Sequence, residues 1–154
     1  MASSNFRVVL RTLHDGSVEF VLVGGLAAVL SGVPVSTFDV DVVLAGNEEN
    51  LRRLLALLDQ PVGDAWPAGF LSQLAPQTVT LRESGPLDVL GTIGRGLTYE
   101  DLLPHTVEME IGDGVRVRVL DLATIIAVKE QLATEKDLAV LPLLRRTLEE
   151  KQRR

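Results

Sequence analysis

The sequence predicts an α/β (α+β) domain, in which strands and helices alternate along most of the chain. A strand, a glycine turn and a short helix follow one another within residues 18–30. Two further pairs of strands are predicted within 77–93 and 105–120, and apolar residues at three- and four-residue spacing predict helices near both ends. Because 154 residues suit one hydrophobic core, we expect a single domain over residues 1–154.

Composition excludes several classes of protein. Hydrophobic residues make up 46% of the chain, which is typical of a folded domain and not of a disordered one. The absence of cysteine excludes disulfide scaffolds, cysteine-ligated metals and thiol nucleophiles. The longest apolar run, residues 20–30, contains two glycines and is far shorter than the roughly 20 residues of a membrane span. Together with an opening segment that lacks a signal-peptide pattern, this predicts a cytoplasmic protein.

The charge of the chain argues against one class of partner. The net charge is −6, so a basic surface for extended nucleic-acid contact is not expected. Basic residues do collect near the C-terminal end, where they suit the negative end of a helix dipole and solvent.

The first predicted elements form a helix–strand–helix unit. Apolar residues at helical spacing over 6–13 predict a helix that is stopped by Asp15 and Gly16. The β-branched and aromatic run 18–23 predicts a strand, and Gly24-Gly25 ends it. The small apolar residues 26–30 then predict a short buried helix.

A second strand and a capped helix come next. Residues 38–44 alternate apolar side chains with Asp39 and Asp41, which is typical of a strand. Asn47 is a favourable N-cap, and leucines at helical spacing predict a helix that runs to Leu58.

The middle of the chain predicts two more strands. Residues 60–76 are rich in proline, glycine and alanine, with one or two helical turns expected at 70–74. Strands are predicted at 77–82 and 87–93, and the Glu83-Ser84-Gly85-Pro86 segment between them predicts a tight reversal.

The last third predicts a hairpin between helices. Clean alternation on both sides of Gly112-Asp113-Gly114 predicts paired strands at 105–111 and 115–120. Pro142 lies inside the last apolar stripe and is expected to bend or restart that helix. Helices are predicted at 99–103, 121–133 and 135–150.

Two carboxylates are the strongest chemical signal. Residues i and i+2 of a strand project from one face about 7 Å apart, which places Asp39 and Asp41 together. Carboxylates without a partner repel each other and are costly to bury, so we expect a hard divalent cation, Mg²⁺, beside them. The alternative is an edge strand with a solvated polar face.

Other residues extend this candidate site. A glycine pair between a strand and a helix lets a phosphate approach main-chain N–H groups, so Gly24 and Gly25 predict a phosphate seat. Sequential strands are often neighbours, which would place that seat beside the aspartates. Asp88 lies in another apolar strand and is a candidate third carboxylate, or a turn residue after Pro86.

These residues resemble the nucleotidyltransferase superfamily, whose pattern is a glycine turn, Asp-x-Asp on the next strand and a lone Asp on a later one. The resemblance extends to a minimal bacterial branch related to toxin–antitoxin and abortive-infection nucleotidyltransferases. Thr37 matches its pattern, as do the Lys129 and Lys136-Asp137 positions near the C-terminal end. Ser31 and Val35 stand where that branch favours His and Arg.

The resemblance implies a mixed sheet flanked by helices and Mg²⁺-dependent transfer of a nucleoside monophosphate from a nucleoside triphosphate, such as ATP, to an acceptor hydroxyl. Asp39, Asp41 and Asp88 would hold metal, and Asp88 could also take the proton of the attacking hydroxyl. Lys129 and Lys136 would face the triphosphate if one continuous helix carries both. The nucleotide-binding set is then Gly24, Gly25, Thr37, Lys129 and Lys136. The acceptor stays open, and a helical protein partner is implied.

Two other functions compete with this hypothesis. A dinucleotide-binding unit fits poorly, because Leu26 and Val29 occupy positions that its fingerprint gives to glycine. A nucleotidyltransferase fold that only binds a nucleotide or a protein is the stronger rival, since Ser31 and Val35 depart from the pattern and Gly25 has no hydroxyl for phosphate.

Overall fold

The computed structural model describes residues 6–37, 39–59 and 77–154. The helical turns predicted at 70–74 lie outside these residues. The described helices are α1 (Phe6–Asp15), α2 (Gly24–Leu30), α3 (Glu48–Leu55), α4 (Tyr99–Leu102), α5 (Leu122–Leu132) and α6 (Glu135–Gln152), with a 3₁₀ turn at Leu103–His105. The described strands are β1 (Phe20–Val23), β2 (Asp41–Leu44), β3 (Gln77–Leu81), β4 (Gly85–Leu90), β5 (Thr106–Gly112) and β6 (Val115–Leu120).

One mixed sheet of six strands organises the fold, in the order β3-β4-β2-β1-β6-β5. The β2–β4 and β1–β6 pairs are parallel, and the remaining neighbours are antiparallel. The expected α/β (α+β) class and mixed sheet are confirmed. The hairpin around Gly112–Gly114 and the reversal before β4 also form as predicted.

The core lies around the two central strands, β1 and β2. Val21, Leu22, Val42 and Val43 have no exposed surface, which fits strands covered on both faces. α1 packs on β4 and β6, α2 on β1 and β2, and α5 against α2 and α6. Among the described residues, no helix is long and apolar enough to span a membrane.

A buried polar side chain, Asn50 of α3, ties together the outer ends of β1 and β2. Its Oδ1 accepts from the Glu19 N–H at 2.6 Å, and its Nδ2 donates to the carbonyls of Glu19 and Ala45 at 2.9 Å each. Buried polar groups are stable only with such partners. Asn50 therefore fixes the start of β1 against the end of β2.

Two predicted strands are cut short beside the candidate site, β2 at its start and β4 at its end, and β1 begins at Phe20, two residues later than predicted. β2 begins at Asp41 and not at residue 38, because its antiparallel partner β1 ends in the Gly24 turn just beyond the Val23–Asp41 pair. Asp39 is therefore exposed ahead of the strand. β4 ends at Leu90 and not at Ile93, since the chain then turns back through a short Ile93–Leu97 bridge.

The C-terminal helices differ from expectation at Pro142. α5 and α6 are separate, as predicted, because Ala133 adopts a left-handed conformation (φ 49°) and Thr134 starts a new capping box with Asp137. α6 runs through Pro142 without a break, so the predicted restart at that proline is wrong. The chain therefore changes direction next to Lys129 and not at Pro142.

We expect Asn50→Ala to lower the free energy of unfolding by about 2–4 kcal/mol, because it leaves the buried Glu19 N–H without its partner and opens a small void. Urea denaturation followed by circular dichroism measures the loss. Asn47→Ala, which removes only the N-cap of the same helix, should cost about 1 kcal/mol. Equal losses in the two variants would contradict the tie assigned to Asn50.

Candidate active site

The glycine turn lies in contact with the first acid. Gly24 follows β1 with a φ of +72°, and a Cβ built on it would lie 2.5 Å from Oδ2 of Asp41. No real Cβ tolerates that approach, so a side chain at position 24 would displace the carboxylate. The antiparallel Val23–Asp41 pairing creates this contact. The expected neighbourhood of glycine turn and aspartate is therefore present.

The second glycine lies against Thr37. A Cβ on Gly25 would lie 2.9 Å from Oγ1 of Thr37, so the segment before β2 folds back over the turn. Glycine leaves room for a hydroxyl beside the main chain at this point. Gly24, Gly25 and Thr37, three of the five residues predicted to bind nucleotide, are thus brought together.

Asp41 and Asp88 face each other across two parallel strands. The register pairs Asp41 of β2 with Asp88 of β4, and their side chains share a hydrogen bond. Asp88 also accepts a hydrogen bond of 2.6 Å from Oγ1 of Thr78, its partner on β3. The strand interpretation of Asp88 is thereby confirmed over the turn alternative. Two carboxylates from different strands meet at one place.

The crowding of acids changes the titration of Asp41. Burial, followed by the negative charges of Asp88 and Asp39, raises the pKa of Asp41 from 3.8 to about 6. The hydrogen bond to Asp88 acts in the same direction, and the positive charge of Lys136 opposes it. The charges of Asp39, Asp88 and Lys136 therefore all act on the Asp41 carboxylate.

The donor set fits a hard divalent cation in its chemistry. Asp41 and Asp88 offer carboxylate oxygens whose mutual repulsion a cation would relieve, and Asp39 lies two residues away with an exposed side chain. Within residues 6–37, 39–59 and 77–154, no group of three His, Cys, Asp or Glu side chains is placed so that it could hold a metal ion. The described acids thus bring two carboxylates together, Asp41 and Asp88, and Asp39 does not complete a group of three.

The two lysines lie on separate helices, Lys129 on α5 and Lys136 on α6. One continuous helix was the condition for both to face the triphosphate, and that condition is not met, because Ala133 separates α5 from α6. Lys129 lies near the end of α5, and its Nζ lies 3.3 Å from Oδ1 of Asp137. Lys136 lies in the first turn of α6, exposed, yet its charge lowers the pKa of Asp41. The change of direction between the helices brings the second lysine towards the acids.

A cavity of about 680 Å³ opens beside the glycine turn. Gly24, Asp41 and the Lys129–Asp137 pair lie on its polar side. Its volume is in the range of small-molecule sites, roughly 300–1,000 Å³. The remaining walls are mostly aliphatic and come from β1, the segment after β4, the end of β6, and α5: Val23, Leu90, Ile93, Leu120, Ile125, Val128 and Leu132.

Sequence reasoning missed Thr78, the pairing of Asp137 with Lys129, and the 92–96 segment of the cavity wall. Thr78 could be found only from the β3–β4 register, which pairs it with Asp88. Asp137 did carry a signal, because Thr134-x-x-Asp137 is a capping-box pattern that predicts a helix start between the two lysines. The cavity wall had no signal, since it joins segments distant in sequence.

No protein-family model and no curated protein matches the chain. A crystal structure of a "putative nucleotidyltransferase" from Thermotoga maritima is similar over 97% of this chain and 96% of its own, with a TM-score of 0.58 and 21% sequence identity. The chain has a nucleotidyltransferase-like fold. The fold agrees with the geometry above, in which a glycine turn and two strand carboxylates meet at one end of a mixed sheet.

We expect Asp41→Asn to stabilise the metal-free protein at pH 7 and to have little effect at pH 4. Because folding raises the pKa of Asp41 to about 6, ionisation costs the folded state stability as pH rises from about 4 to about 6. The penalty is fully present above pH 6, and Asn removes it. With an allowance for partial exposure, the gain in free energy of unfolding is about 1–2 kcal/mol.

Chemical denaturation in the presence of a chelator, at both pH values, measures this difference. Asp113→Asn is the control: this exposed acid at the tip of the β5–β6 hairpin pairs with Arg11, and its replacement should lower stability by about 1 kcal/mol or less at both pH values. A loss of stability in Asp41→Asn at pH 7 would contradict the electrostatic penalty assigned to the site.

Proposed function

We propose that this protein is a Mg²⁺-dependent nucleotidyltransferase that moves a nucleoside monophosphate from a nucleoside triphosphate to an acceptor hydroxyl. The observation that carries the proposal is the contact of Asp41 with both Gly24 and Asp88. It brings a bare turn of main chain and a carboxylate pair within reach of one bound phosphate chain. The fold supports the same class of reaction.

Phosphate binding follows from the glycine turn and the two lysines. Gly24 and Gly25 expose main-chain N–H groups without side chains over them, and Thr37 adds a hydroxyl beside Gly25. α2 has only seven residues, so its dipole adds little, and the charge of the phosphates must be offset by cations. Lys129 and Lys136 are the proposed cations, because Lys129 lines the adjoining cavity and Lys136 already acts on Asp41.

In the proposed reaction, the acceptor oxygen forms a bond to the α-phosphorus and the bond from that phosphorus to the bridging oxygen breaks, releasing pyrophosphate. Asp88 accepts the proton of the acceptor hydroxyl on one of its carboxylate oxygens. The Thr78 hydroxyl donates a hydrogen bond to the other carboxylate oxygen of Asp88 and holds it in place. Asp39, Asp41 and Asp88 would hold Mg²⁺, which neutralises charge on the phosphates. The rest of the catalysis is positioning, for which the parallel β2–β4 register supplies a rigid base.

The acceptor and the branch of the superfamily are finer parts of the proposal. Thr37, Asp39 and Asp41 support the minimal bacterial branch related to toxin–antitoxin systems, because they match its pattern in sequence. The lysines of α5 and α6 support it too. In that branch a protein hydroxyl is a suitable acceptor, and a helical protein is a suitable partner.

A second function, nucleotide or protein binding without turnover, is favoured by one group of observations. Ser31 is buried at the end of α2, and Val35 is partly buried, so neither supplies the His or Arg that the minimal bacterial branch favours at these positions. Asp39 also stands outside β2. A site of this kind would bind a triphosphate and release it unchanged.

We expect isothermal titration to show Mg²⁺-dependent binding of a nucleoside triphosphate to the wild-type protein. Asp39→Asn and Asp41→Asn should each weaken binding by at least about tenfold, because each removes a charged oxygen ligand. The apparent affinity for Mg²⁺ should fall below about pH 6, where protonation of Asp41 competes with the metal. Asp113→Asn should bind as the wild type does. An absence of heat with all four triphosphates would refute the proposal.

We expect Asp88→Asn to lower kcat for transfer by at least about 100-fold while nucleotide binding is largely retained, because the variant loses the proton acceptor. Mass spectrometry of a cell lysate incubated with labelled ATP and the purified protein first identifies the acceptor, and label transfer then gives the rate. Equal loss of binding and transfer would show that Asp88 acts as a metal ligand alone. A wild-type protein that binds ATP but labels nothing would favour the second function.

A further inference from the structure

The cavity beside the glycine turn has a polar end and an aliphatic end. Gly24, Asp41 and Lys129 form the polar end, and the aliphatic end lies between Ile93, Val128 and Leu132 among others. We propose that the aliphatic end holds the base and sugar of the nucleotide, and that it accepts all four common bases with similar affinity. This inference rests on the proposed function, because it assumes that the phosphates bind at the polar end.

The position of the acids favours the nucleotide over the acceptor as the occupant. Of the three acids, Asp41 lines the cavity, and in the described part of the chain neither Asp39 nor Asp88 does. Asp88 belongs to β4, on the side of β2 away from β1. Leu90 of the same strand lines the cavity and Asp88 does not, so the lining itself places no acceptor hydroxyl against Asp88. The nucleoside is bonded to the phosphates, and when it extends past Gly24 and Lys129 it enters the cavity.

The walls of the cavity are fixed by contacts on both sides. The 93–97 segment is closed by two backbone hydrogen bonds between Ile93 and Leu97, of 3.0 and 2.9 Å. Gly94 packs so closely on α5 that a Cβ there would lie 3.3 Å from Cγ1 of Val128. Arg95 donates to the Gln131 carbonyl near the end of α5 at 3.3 Å. The segment after β4 and α5 thus form a slot of defined width.

The lining offers little that reads the polar edge of a base. Most of its charged side chains have partners already: Lys129 pairs with Asp137, and Arg95 donates to a helix carbonyl. Among the described lining residues, Thr92 has the only uncharged side chain that can form a hydrogen bond, and none has an aromatic side chain. Aliphatic walls discriminate by size, and weakly, whereas sites that hydrogen-bond a substrate reject analogues by about 10⁴-fold or more. We therefore expect shape-based binding of the base.

Leu132 and Leu138 provide a matched pair for the test. Both are large apolar residues with similar exposure, 45% and 52%, on neighbouring helices. Leu132 lines the cavity and Leu138 does not. Because both are exposed, replacement by alanine should leave the fold intact, and thermal melting verifies this.

The experiment measures Kd by isothermal titration in Mg²⁺ for ATP, GTP, CTP, UTP and inorganic tripolyphosphate. The nucleotides should agree with one another within about tenfold, and each should bind at least about tenfold more tightly than tripolyphosphate. Leu132→Ala should weaken every nucleotide by about threefold to tenfold and leave tripolyphosphate unchanged. Leu138→Ala should change neither. Ile93→Ala is a second cavity variant with the same expected pattern.

Three results would overturn the inference while the proposed function stands. Tripolyphosphate could bind as tightly as the nucleotides, which would place the nucleoside outside the cavity. One nucleotide could bind more than about 100-fold more tightly than the others, which would require a polar readout. Leu132→Ala could slow transfer without changing nucleotide affinity, which would assign the cavity to the acceptor. If neither tripolyphosphate nor any nucleotide binds, the proposed function itself is wrong.

Discussion

The close approach of Asp41 to Gly24 and Asp88 is the constraint on which the candidate site depends. Asp41 begins β2, pairs with the last residue of β1 on one side and with Asp88 of β4 on the other. The apolar central strands keep this register, since a slip of one residue would exchange the side chains that pack on the two faces of the sheet. The acids are therefore held together by the core although their charges repel. Like charges held in this way are a common feature of sites that bind cations or transfer protons.

Much of this arrangement could be predicted from the sequence, because it depends on local patterns. The glycine turn, the Asp-x-Asp spacing and the apolar run around Asp88 each follow from a few neighbouring residues. The position of Asp39 could not be predicted in the same way, since β2 begins only where its partner β1 lies beside it, and that limit is set by tertiary pairing. The cavity and Thr78 likewise depend on which strands become neighbours.

The boundary between α5 and α6 follows from local signals, and it lies where the sequence predicts it, between the helices at 121–133 and 135–150. Pro142 is the more obvious helix breaker, yet α6 runs through it. Ala133 ends α5 in a left-handed conformation, and the capping box at Thr134 and Asp137 starts α6, because a side chain that satisfies free N–H groups favours a helix start. The same Asp137 holds Lys129. Asp137, which helps to start α6, therefore also orients the Lys129 ammonium group at the cavity.

The two ends of the β1–β2 pair have opposite effects on the stability of the fold. Asn50 satisfies the main chain at the end near Phe20 and Leu44, whereas the acids crowd the end near Val23 and Asp41. The hydrogen bonds of Asn50 thus stabilise the folded state, and the repulsion among the acids destabilises it. During evolution, a lineage released from selection for chemistry could exchange its aspartates and keep, or even improve, its fold. Thermal robustness in such descendants would say nothing about whether the proposed reaction survives.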